Sequence, residues 1–506
     1  MKLSEYLHAQ ACRRPDSEAV VCGDERISFA ELDSSVRRLA SGLYQLGVRA
    51  GDRVALCLPN GIDFVRCFLA ACRLGALTVP VNARLTDGEI QYLLSDSQPT
   101  ALITEARRWR TLREVTVDSI EHVVLAGGGK EDLVGARPLS ELLSGEIARL
   151  PELPVDADDC AICYTSGTTG RPKGAVLTQS NYITAHGFLN AVMWAMGPSD
   201  RTLVTTPIAH RTGLARIVNM VCHGSAVVIM PRFEVAEAAR LIETERITVL
   251  GMVPTVGRML VEAVEKDPAR FASLRTVLGT GEAFPPSLAE RFESALPGVR
   301  VYAFFAMTEV GQVAGLDPED RAAHLGSVGR PVPGIEIKLV DASGVAVAPG
   351  ETGEILVRSG RPGQFLVMRE YYNLPEATKE ALNDGWLATG DLGRLDAEGF
   401  LYIVDRKKDM VLTGGYNVYS REVEDVIREL PSVAEVGVVG KPDPIYGESV
   451  AAFVELRPGE ELSESEVIEH CRRRLAGYKK PKRVTFLPQL PRGPVGKVLK
   501  RELRAL

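Results

Sequence analysis

Residues 164–174 constrain this chain more than any other stretch. They read Tyr-Thr-Ser-Gly-Thr-Thr-Gly-Arg-Pro-Lys-Gly and contain three glycines, four aliphatic hydroxyls and two cations. Apolar residues 160–163 and 175–177 flank them, which predicts a buried strand, a polar loop and a return to buried chain. Glycines let backbone N–H groups converge on an anion, hydroxyls add donors, and Lys173 adds a mobile charge. Since each charge-assisted hydrogen bond contributes about 1.5–3 kcal/mol, the pattern predicts a loop that binds a triphosphate.

This loop differs from a Walker A motif, in which a lysine directly follows the last glycine and precedes Ser or Thr. Here Lys173 comes three residues after Gly170 and is followed by Gly174. An ordinary surface turn is the alternative, but the hydroxyl density and the Pro-Lys-Gly ending exceed what a turn requires. The string resembles the phosphate loop of the acyl-adenylate-forming superfamily: acyl-CoA synthetases, peptide-synthetase adenylation domains and firefly-type luciferases. The resemblance implies ATP contacts from Thr165, Ser166, Gly167, Thr168, Thr169, Gly170 and Lys173.

Composition limits the possible partners and the compartment. A chain of 506 residues is too long for one ordinary core, so two or more domains are expected. The net charge is −7 and the basic residues are spread along the chain, which argues against nucleic acid. The N-terminus has no cleavable apolar core, and no apolar run approaches the roughly 20 residues that cross a bilayer. We therefore expect a cytosolic protein, a monomer or a homodimer, without a membrane span.

Nine cysteines form an odd set, and most of them lie in apolar strings. This is typical of small buried hydrophobic residues in a reducing compartment. Cys160 and Cys163 form a C-x-x-C, but a strand places positions i and i+3 on opposite faces. No second pair suggests zinc. We expect both residues to be core residues.

The order of predicted elements favours an α/β fold. Apolar strands and amphipathic helices alternate twice, before and after the phosphate loop; examples are the helix 62–74 between the strands 54–59 and 77–81. Such alternation predicts mostly parallel sheets covered on both faces. From about Gly334 the pattern changes to short Val/Ile strands broken by Gly and Pro, which predicts a small β-rich subdomain. A tail of mixed helices and strands follows, which predicts a small mobile α+β C-terminal domain.

Several further strings match the same superfamily in the expected order. The string 304–309 resembles its Tyr-Gly-x-Thr-Glu element, although Phe305-Ala306 replaces Tyr-Gly. The resemblance implies that Thr308 contacts the α-phosphate and that Glu309 holds Mg²⁺, a hard cation that prefers carboxylate oxygen. The glycine turn at 279–285 implies contacts near adenine, and Asp391 in Thr-Gly-Asp implies a contact with ribose. The nucleotide contacts implied by these strings are Gly281, Glu282, Ala283, Phe304, Phe305, Ala306, Met307, Thr308 and Asp391.

The tail contributes the remaining strings. Residues 405–409 (Asp-Arg-Lys-Lys-Asp) resemble the interdomain hinge of the superfamily, with Arg406 as a nucleotide contact and Lys408 at the hinge position. This gives an N-terminal adenylation domain 1–404, a hinge 405–408 and a C-terminal domain 409–506. The loop after the hinge implies a CoA site at Gly414, Gly415 and Tyr416. The string 490–497 resembles the motif of the catalytic lysine, which would be Lys497, although Gly493 replaces a commoner Thr or Asn.

Some charged residues of the tail have a simpler interpretation. Lys407 and Asp409 are expected to be solvated, because a charge run is usually a wet surface. Lys500 is expected to be a solubilising lysine near the terminus.

The acyl pocket is less readable than the nucleotide site. The resemblance places His210, Arg211, Thr212, Gly279 and Ala303 there. Arg211 could anchor an oxygenated or dicarboxylic acid, with a solvent-facing arginine as the alternative. Fatty, aromatic and small dicarboxylic acids all stay open.

These strings together imply an AMP-forming acid–CoA ligase, with ATP, CoA and a carboxylic acid as substrates and Mg²⁺ as cofactor. The catalytic residues implied are Lys497, Glu309, Thr308 and Lys173. The alternatives are an adenylation enzyme that loads a carrier protein, a luciferase-type oxygenase and a nucleotide-binding protein without catalysis. No carrier or condensation segment follows Leu506, which argues against the carrier-loading alternative and leaves a carrier protein in trans open.

Overall fold

The computed structural model describes residues 2–128, 135–154, 158–165, 172–280, 284–414, 416–493 and 497–506. They form two compact units. The first unit takes the described residues of Met1–Gly167, Pro172–Glu336 and Arg358–Leu387, and the second takes those of Ile337–Val357 and Ala388–Leu506.

The α-helices of the described residues are, in chain order, α1 Leu3–Arg13, α2 Phe29–Leu46, α3 Ile62–Leu74, α4 Asp87–Ser97, α5 Ala106–Leu112, α6 Leu139–Ser144, α7 Gln179–Tyr182, α8 Asn190–Trp194, α9 Arg211–His223, α10 Val235–Thr244, α11 Pro254–Lys266, α12 Pro286–Ala295, α13 Pro375–Ala381, α14 Ser420–Arg428, α15 Glu464–Arg474 and α16 Lys500–Ala505. A π-helix, Ile183–Leu189, joins α7 to α8.

The strands are, in the same order, β1 Glu18–Cys22, β2 Glu25–Ser28, β3 Arg53–Cys57, β4 Leu77–Pro80, β5 Ala101–Glu105, β6 His122–Ala126, β7 Arg137–Pro138, β8 Asp159–Thr165, β9 Lys173–Thr178, β10 Arg201–Val204, β11 Ala226–Ile229, β12 Val249–Met252, β13 Thr276–Gly279, β14 Arg300–Met307, β15 Gly311–Leu316, β16 Arg330–Pro331, β17 Glu336–Val340, β18 Gly353–Arg358, β19 Glu370–Tyr371, β20 Leu382–Asn383, β21 Trp386–Leu395, β22 Leu401–Arg406, β23 Val411–Thr413, β24 Tyr416–Val418, β25 Val433–Asp443, β26 Gly447–Leu456 and β27 Arg483–Phe486.

The first unit contains two large sheets. One has nine strands in the order β16-β15-β14-β13-β12-β10-β11-β1-β2, and the other has eight in the order β19-β9-β8-β4-β3-β5-β6-β7. The central neighbours of both sheets pair in parallel, for example β12 with β13 and β3 with β4. Antiparallel pairs lie towards the ends, such as β14 with β15 and β8 with β9. The predicted α/β fold with mostly parallel sheets is confirmed.

Helices cover both faces of the nine-stranded sheet. On one face, Leu250 and Val277 pack with Phe292 of α12 in a large apolar core. On the other face, Val249 and Leu278 pack with Trp194 of α8. Neighbouring residues of one strand belong to opposite cores because side chains alternate across a sheet. The face of any strand residue in this sheet therefore follows from its position.

Local signals explain where the helices begin and end. Gly61 precedes α3 and Gly75, at φ +76°, ends it, so the predicted helix 62–74 has the same bounds in the structure. Ser28 caps α2 by accepting a hydrogen bond from the Glu31 amide. Ile27 therefore lies in the preceding strand.

The second unit contains strands of the predicted β-rich subdomain together with the α+β part predicted for the tail. Strands β24, β23, β26 and β25 lie side by side in that order, and β27 pairs with β26. Helices α14 and α15 pack on this sheet around Val423, Val454 and Val467. Strands β18 and β21 are neighbours in a separate five-stranded sheet, in which β22 pairs with β21.

Two further expectations concern helices and cysteines. No helix within the described ranges is long and apolar enough to cross a membrane. Cys160 and Cys163 are buried, unbridged core residues of β8, as predicted.

Candidate active site

Two paired strands hold the ends of the predicted phosphate loop. Strands β8 and β9 are antiparallel, and Thr165 lies opposite Lys173. Residues 166–171 lie outside the described residues, so the predictions for Ser166, Gly167, Thr168, Thr169 and Gly170 stay predictions. A Cβ on Gly174 would lie 2.6 Å from Ile162 Cγ2, so this position needs glycine where the loop returns to the sheet.

Helix α4 fastens both ends of the same loop. The Tyr92 hydroxyl donates a hydrogen bond to the carbonyl of Pro172 at 2.9 Å. The Tyr164 hydroxyl donates to Asp96 Oδ2 at 2.6 Å. Burial, and after it the Asp96 carboxylate, raises the pKa of Tyr164, so this phenol stays a donor at neutral pH. A phosphate loop needs anchored ends to hold its hydrogen-bond donors in place.

A tyrosine that the sequence did not indicate holds Glu309. The Glu309 side chain is 7% exposed, and its Oε1 accepts a hydrogen bond of 2.9 Å from the Tyr371 hydroxyl. Burial, and after it Glu309, raises the pKa of Tyr371, which keeps the phenol protonated. Lys173 Nζ lies 5.1 Å from the centroid of the same ring. Tyr371 therefore joins the two predicted charged groups of the site, Glu309 and Lys173.

The backbone around Tyr371 strengthens this arrangement. Met368 N donates to the Glu309 carbonyl at 2.6 Å, and Tyr372 N donates to the Gly174 carbonyl at 2.7 Å. Strand β19 pairs with β9, so that Tyr371 lies opposite Ala175. One short segment thus ties the end of the phosphate loop to the Glu309 backbone.

The residues of this site suit one mode of Mg²⁺ binding. Mg²⁺ is usually held by one or two carboxylates together with substrate phosphates, rather than by a cage of protein ligands. Glu309 supplies one buried carboxylate with a fixed orientation. Among the described residues, no group of three or more His, Cys, Asp or Glu side chains could hold a metal ion. Glu309 therefore fits a magnesium ion that ATP brings with it.

Arg211 has a structural role that the sequence did not predict. It is 6% exposed, so the solvent-facing interpretation is wrong. Its Nη1 donates to the Thr308 carbonyl, and its Nη2 donates to the Val310 carbonyl at 2.9 Å. Its guanidinium also lies 5.5 Å from the centroid of the Tyr182 ring. Arg211 thus brackets Glu309 from the first residue of α9 and fixes the turn that carries it.

The predicted adenine-contacting strand has one irregularity. Strands β14 and β15 shift register between Phe305 and Ala306, and bulges of this kind re-aim side chains. The Phe304 ring lies 5.3 Å from the Trp194 ring, within the core. Phe305 is on the opposite face from Phe304 and half-buried, which leaves it as the aromatic candidate for adenine. Met307 ends β14 directly before Thr308. Gly281, Glu282 and Ala283 lie outside the described residues.

The five predicted acyl-pocket residues do not share one face of the nine-stranded sheet. Ala303 packs on the core of α11 and α12, and a Cβ on Gly279 would meet the Phe284 ring of that core. His210 precedes α9, and burial lowers its pKa. Its Nε2 is sealed from solvent and has no hydrogen-bond partner in the part of the chain that the structure describes. Thr212 follows Arg211 in the first turn of α9.

The second unit brings the predicted ribose contacts together. Asp391 and Arg406 lie opposite each other in β21 and β22, and Arg406 Nε lies 3.2 Å from Asp391 Oδ1. Asp391 is buried, and its backbone N–H donates to Thr389 Oγ1 at 3.1 Å. A buried carboxylate beside an arginine can accept hydrogen bonds from a diol.

The predicted hinge is held by the last helix of the chain. Arg504 donates to the Lys408 carbonyl at 3.0 Å and to Asp409 Oδ1 at 2.6 Å. Asp409 is 7% exposed, so the prediction that it is solvated is wrong. Lys407 is exposed, and its Nζ lies 2.7 Å from Glu354. Burial lowers the pKa of Lys408.

Lys500 is also a structural residue, contrary to prediction. Its Nζ lies 2.7 Å from Glu424 Oε1 and 2.6 Å from Ser420 Oγ. Glu424 is 6% exposed. The distance in sequence between the two residues hides this pairing, which is why a lysine near the terminus suggested only solubility.

The remaining predicted residues lie on loops of the second unit. Lys497 is exposed, and its carbonyl accepts a hydrogen bond of 2.8 Å from Gly493 N. Gly414 has φ +57°, and a Cβ there would lie 3.0 Å from the Tyr446 ring. Tyr416 is 58% exposed and stacks on Tyr478 at 4.6 Å. Gly415 lies outside the described residues.

Comparisons with known proteins agree with the motifs. The family of AMP-binding enzymes matches residues 7–372, and the AMP-binding enzyme C-terminal domain matches residues 422–497. The chain is 36% identical to the long-chain-fatty-acid–CoA ligase FadD13 of Mycobacterium tuberculosis, over 95% of this chain and 93% of that protein. It is also 36% identical to a feruloyl-CoA synthase of an Amycolatopsis species, over 97% and 96%.

A solved structure is similar over almost the whole chain. The o-succinylbenzoate CoA synthetase MenE of Bacillus subtilis, in complex with ATP and a magnesium ion, superposes with a TM-score of 0.85. It is 32% identical and covers 98% of each chain. The chain therefore belongs to the AMP-binding enzyme family, within the acyl-adenylate-forming superfamily, and is an AMP-forming ligase of the acyl-CoA synthetase type.

Proposed function

We propose that this chain joins a carboxylic acid to CoA in two half-reactions. In the first, a carboxylate oxygen attacks the α-phosphorus of ATP, which gives acyl-AMP and pyrophosphate. In the second, the CoA thiol attacks the acyl carbon, and AMP leaves. The observation that supports this most directly is the grouping of Glu309, Tyr371 and Lys173 where the phosphate loop returns to the sheet. The similarity to CoA ligases over nearly the full length supports it as well.

The first half-reaction brings two anions together, so positive charge must lie at the reacting centre. We assign Lys173 to the departing pyrophosphate, Thr308 to the α-phosphate and Lys497 to the reacting oxygens. Glu309 would hold magnesium, which when bound supplies further positive charge at the phosphates. Loss of one preorganised contact of this kind typically costs about 10²–10³ in rate.

Arg211 and Tyr371 would act on this step through Glu309 rather than on the substrate. Arg211 fixes the carbonyls on either side of Glu309, and Tyr371 fixes one carboxylate oxygen. An oriented carboxylate needs no rearrangement when the metal and the phosphates arrive, and this is the main benefit of preorganisation. Asp391 and Arg406 would hold the ribose, and Phe305 would stack on adenine.

The second half-reaction needs a path for a long thiol arm. We propose that a C-terminal domain 409–506 turns about the hinge 405–408 relative to an N-terminal domain 1–404, with Lys408 as the pivot. Gly414, Gly415 and Tyr416 would then face the pantetheine arm. Rotation of one domain lets a single site run both steps.

Pyrophosphate release tests this proposal. A panel of fatty, aromatic and dicarboxylic acids is incubated with ATP and Mg²⁺, with and without CoA, and pyrophosphate, AMP and thioester are measured. We expect acid-dependent pyrophosphate release and CoA-dependent thioester. Thioester only on an added pantetheinylated carrier protein would favour the carrier-loading alternative, oxygen uptake would reveal a luciferase-type reaction, and no pyrophosphate with any acid would contradict the proposal. Cytosolic location and a monomeric or homodimeric state stay predictions.

A further inference from the structure

Helix α9 carries a second buried arginine, Arg216, for which the reaction so far gives no role. It is 6% exposed, as are Arg211 and Arg321. Arg211 binds two carbonyls, and Arg321 binds the Glu293 carboxylate. Within the part of the chain that the structure describes, Arg216 has neither a hydrogen bond nor an ion pair. A buried cation without a partner is costly, which is why buried charges in proteins are normally paired.

The position of the Arg216 guanidinium is fixed by Gly251. A Cβ built on Gly251 would lie 2.5 Å from Nη2, 3.0 Å from Cζ and 3.1 Å from Nε of Arg216. The guanidinium therefore lies against the backbone of Gly251 in the middle of β12, where a side chain would displace it. Gly251 pairs with Val204 and Leu278 in the neighbouring strands. The charge thus lies over the centre of the nine-stranded sheet.

The surroundings of Arg216 are apolar or basic. Side chains alternate along β12, so Gly251 shares its face with Val249, which packs with Leu278 and Trp194. His186 lies close enough that Arg216 contributes to lowering its pKa, after burial and Arg211. Both ring nitrogens of His186 are sealed from solvent and have no hydrogen-bond partner within the described ranges. Burial alone lowers the pKa of Arg216, to about 10, so no carboxylate of the described residues compensates its charge.

Helix α9 connects Arg216 to the turn that carries Thr308 and Glu309. Arg211, at the start of α9, binds the Thr308 carbonyl. Five residues of α-helix rise about 8 Å along the helix axis. Arg216 therefore lies about 8 Å along α9 from Arg211, the residue that binds the Thr308 carbonyl. His186, which lies close to Arg216, and His210, which directly precedes the same helix, are buried polar side chains with ring nitrogens that have no hydrogen-bond partner among the described residues. This is the composition of a site for a polar ligand rather than for an alkyl chain.

We propose that Arg216 binds a second carboxylate of the acid, so that the enzyme activates one end of a dicarboxylic acid while the other end pairs with this guanidinium. The reacting carboxylate loses one oxygen to AMP during the two half-reactions, and the second carboxylate leaves unchanged in the thioester. This inference rests on the adenylation activity proposed above. It moves the anchoring role that the sequence suggested for Arg211 to Arg216, since the guanidinium of Arg211 is bound to carbonyls.

The selectivity between matched acids tests the proposal. Initial rates of pyrophosphate release are measured for α,ω-dicarboxylates from succinate to sebacate and for monocarboxylates of the same chain lengths. The wild-type protein should prefer one or more diacids by at least about 100-fold in kcat/KM, because a monoacid leaves the buried charge unpaired. Arg216→Met should abolish that preference by slowing the diacid about 100-fold and by leaving the monoacid unchanged or faster.

Two further variants keep the result interpretable. Arg216→Lys retains a charge without the planar fork and should keep part of the preference. Arg258→Met removes an exposed arginine of α11 and should leave the diacid-to-monoacid ratio unchanged. Thermal unfolding of each variant is measured alongside. If Arg216→Met does not fold, the inference is tested by the diacid-to-monoacid ratio of kcat/KM in the wild-type protein and in Arg216→Lys.

The possible failures are distinguishable. If the wild-type protein uses monoacids as well as diacids, and Arg216→Met does not change the ratio, the inference is wrong and the ligase activity stands. If no acid gives pyrophosphate, the proposed function is wrong and this inference is wrong with it.

Discussion

Replacing Tyr371 with phenylalanine removes one hydroxyl from the centre of the proposed site. The phenol donates a hydrogen bond of 2.9 Å to Glu309 Oε1, and Glu309 is 7% exposed. The Phe ring would still offer Lys173 its π face at the 5.1 Å seen for Tyr371. The substitution is therefore a selective deletion of the donor to Glu309.

The expected size of the effect follows from that geometry. A hydrogen bond to a charged group contributes about 1.5–3 kcal/mol, and loss of a group that orients a metal ligand typically costs 10–100-fold in metal affinity or activity. We expect Tyr371→Phe to raise the Mg²⁺ concentration for half-maximal pyrophosphate release by about 10–100-fold. Binding of Mg·ATP, measured by calorimetry without the acid, should weaken by a similar factor.

The next residue supplies a matched control. Tyr372 contributes its backbone N–H to Gly174, so Tyr372→Phe alters the same segment without removing a donor from Glu309. We expect its Mg²⁺ dependence and Mg·ATP binding to stay within about twofold of wild type, since the Tyr372 hydroxyl makes no hydrogen bond within the described residues and substitutions away from such contacts have small effects. An unchanged Mg²⁺ requirement in a folded Tyr371→Phe protein would refute the assignment of Glu309 to the metal.

Three other substitutions test separate parts of the account. Lys497→Ala should reduce adenylation about 10²–10³-fold while synthetic acyl-AMP plus CoA still gives thioester; equal loss of both half-reactions would contradict the assignment of Lys497 to the first. Lys408→Pro should do the converse and impair thioester formation most, because proline fixes the backbone at the proposed hinge; unchanged kinetics of both steps would count against a hinge there. Lys500→Met should destabilise the second unit by about 3 kcal/mol in chemical denaturation, because Glu424 loses its partner at 2.7 Å. Burial raises the pKa of Glu424 and Lys500 lowers it, so the variant raises that pKa further. A raised pKa in the folded state means that protonation favours folding. The variant should therefore show its full loss of unfolding free energy, relative to wild type, at a pH above its own Glu424 pKa. This loss should shrink as the pH falls through that pKa, and a loss that does not depend on pH would contradict this reasoning.

The fold was readable from the sequence where local signals agree. Helix α3 has the predicted bounds because glycines flank an apolar helical pattern. The alternation of strands and helices predicted parallel sheets, since few other arrangements bury both faces. The strands β8 and β9 around the phosphate loop were likewise predictable from the apolar residues that flank it.

Pairings between distant residues were not readable. Tyr371 and Glu309 are 62 positions apart, and nothing in the local sequence marks a tyrosine as the partner of a carboxylate. Lys500 and Asp409 looked solvated because charged residues usually are, but both have partners in the second unit. Interactions of this kind depend on tertiary geometry, which composition and periodicity do not encode.

The partners of the two buried arginines of α9 were likewise not predictable from the sequence. Arg211 and Arg216 lie close together in the sequence, which does not say which of them has a partner. Only the structure shows Arg211 on two carbonyls and Arg216 against Gly251.

The fate of the carboxylate oxygens tests the central claim most directly. The acid is labelled with ¹⁸O in its reacting carboxylate, incubated with ATP, Mg²⁺, CoA and the protein, and the products are analysed by mass spectrometry. Attack on the α-phosphorus followed by thiolysis leaves one labelled oxygen in AMP for each thioester formed. Label in inorganic phosphate, or AMP formed without label, would contradict activation of the acid through acyl-AMP.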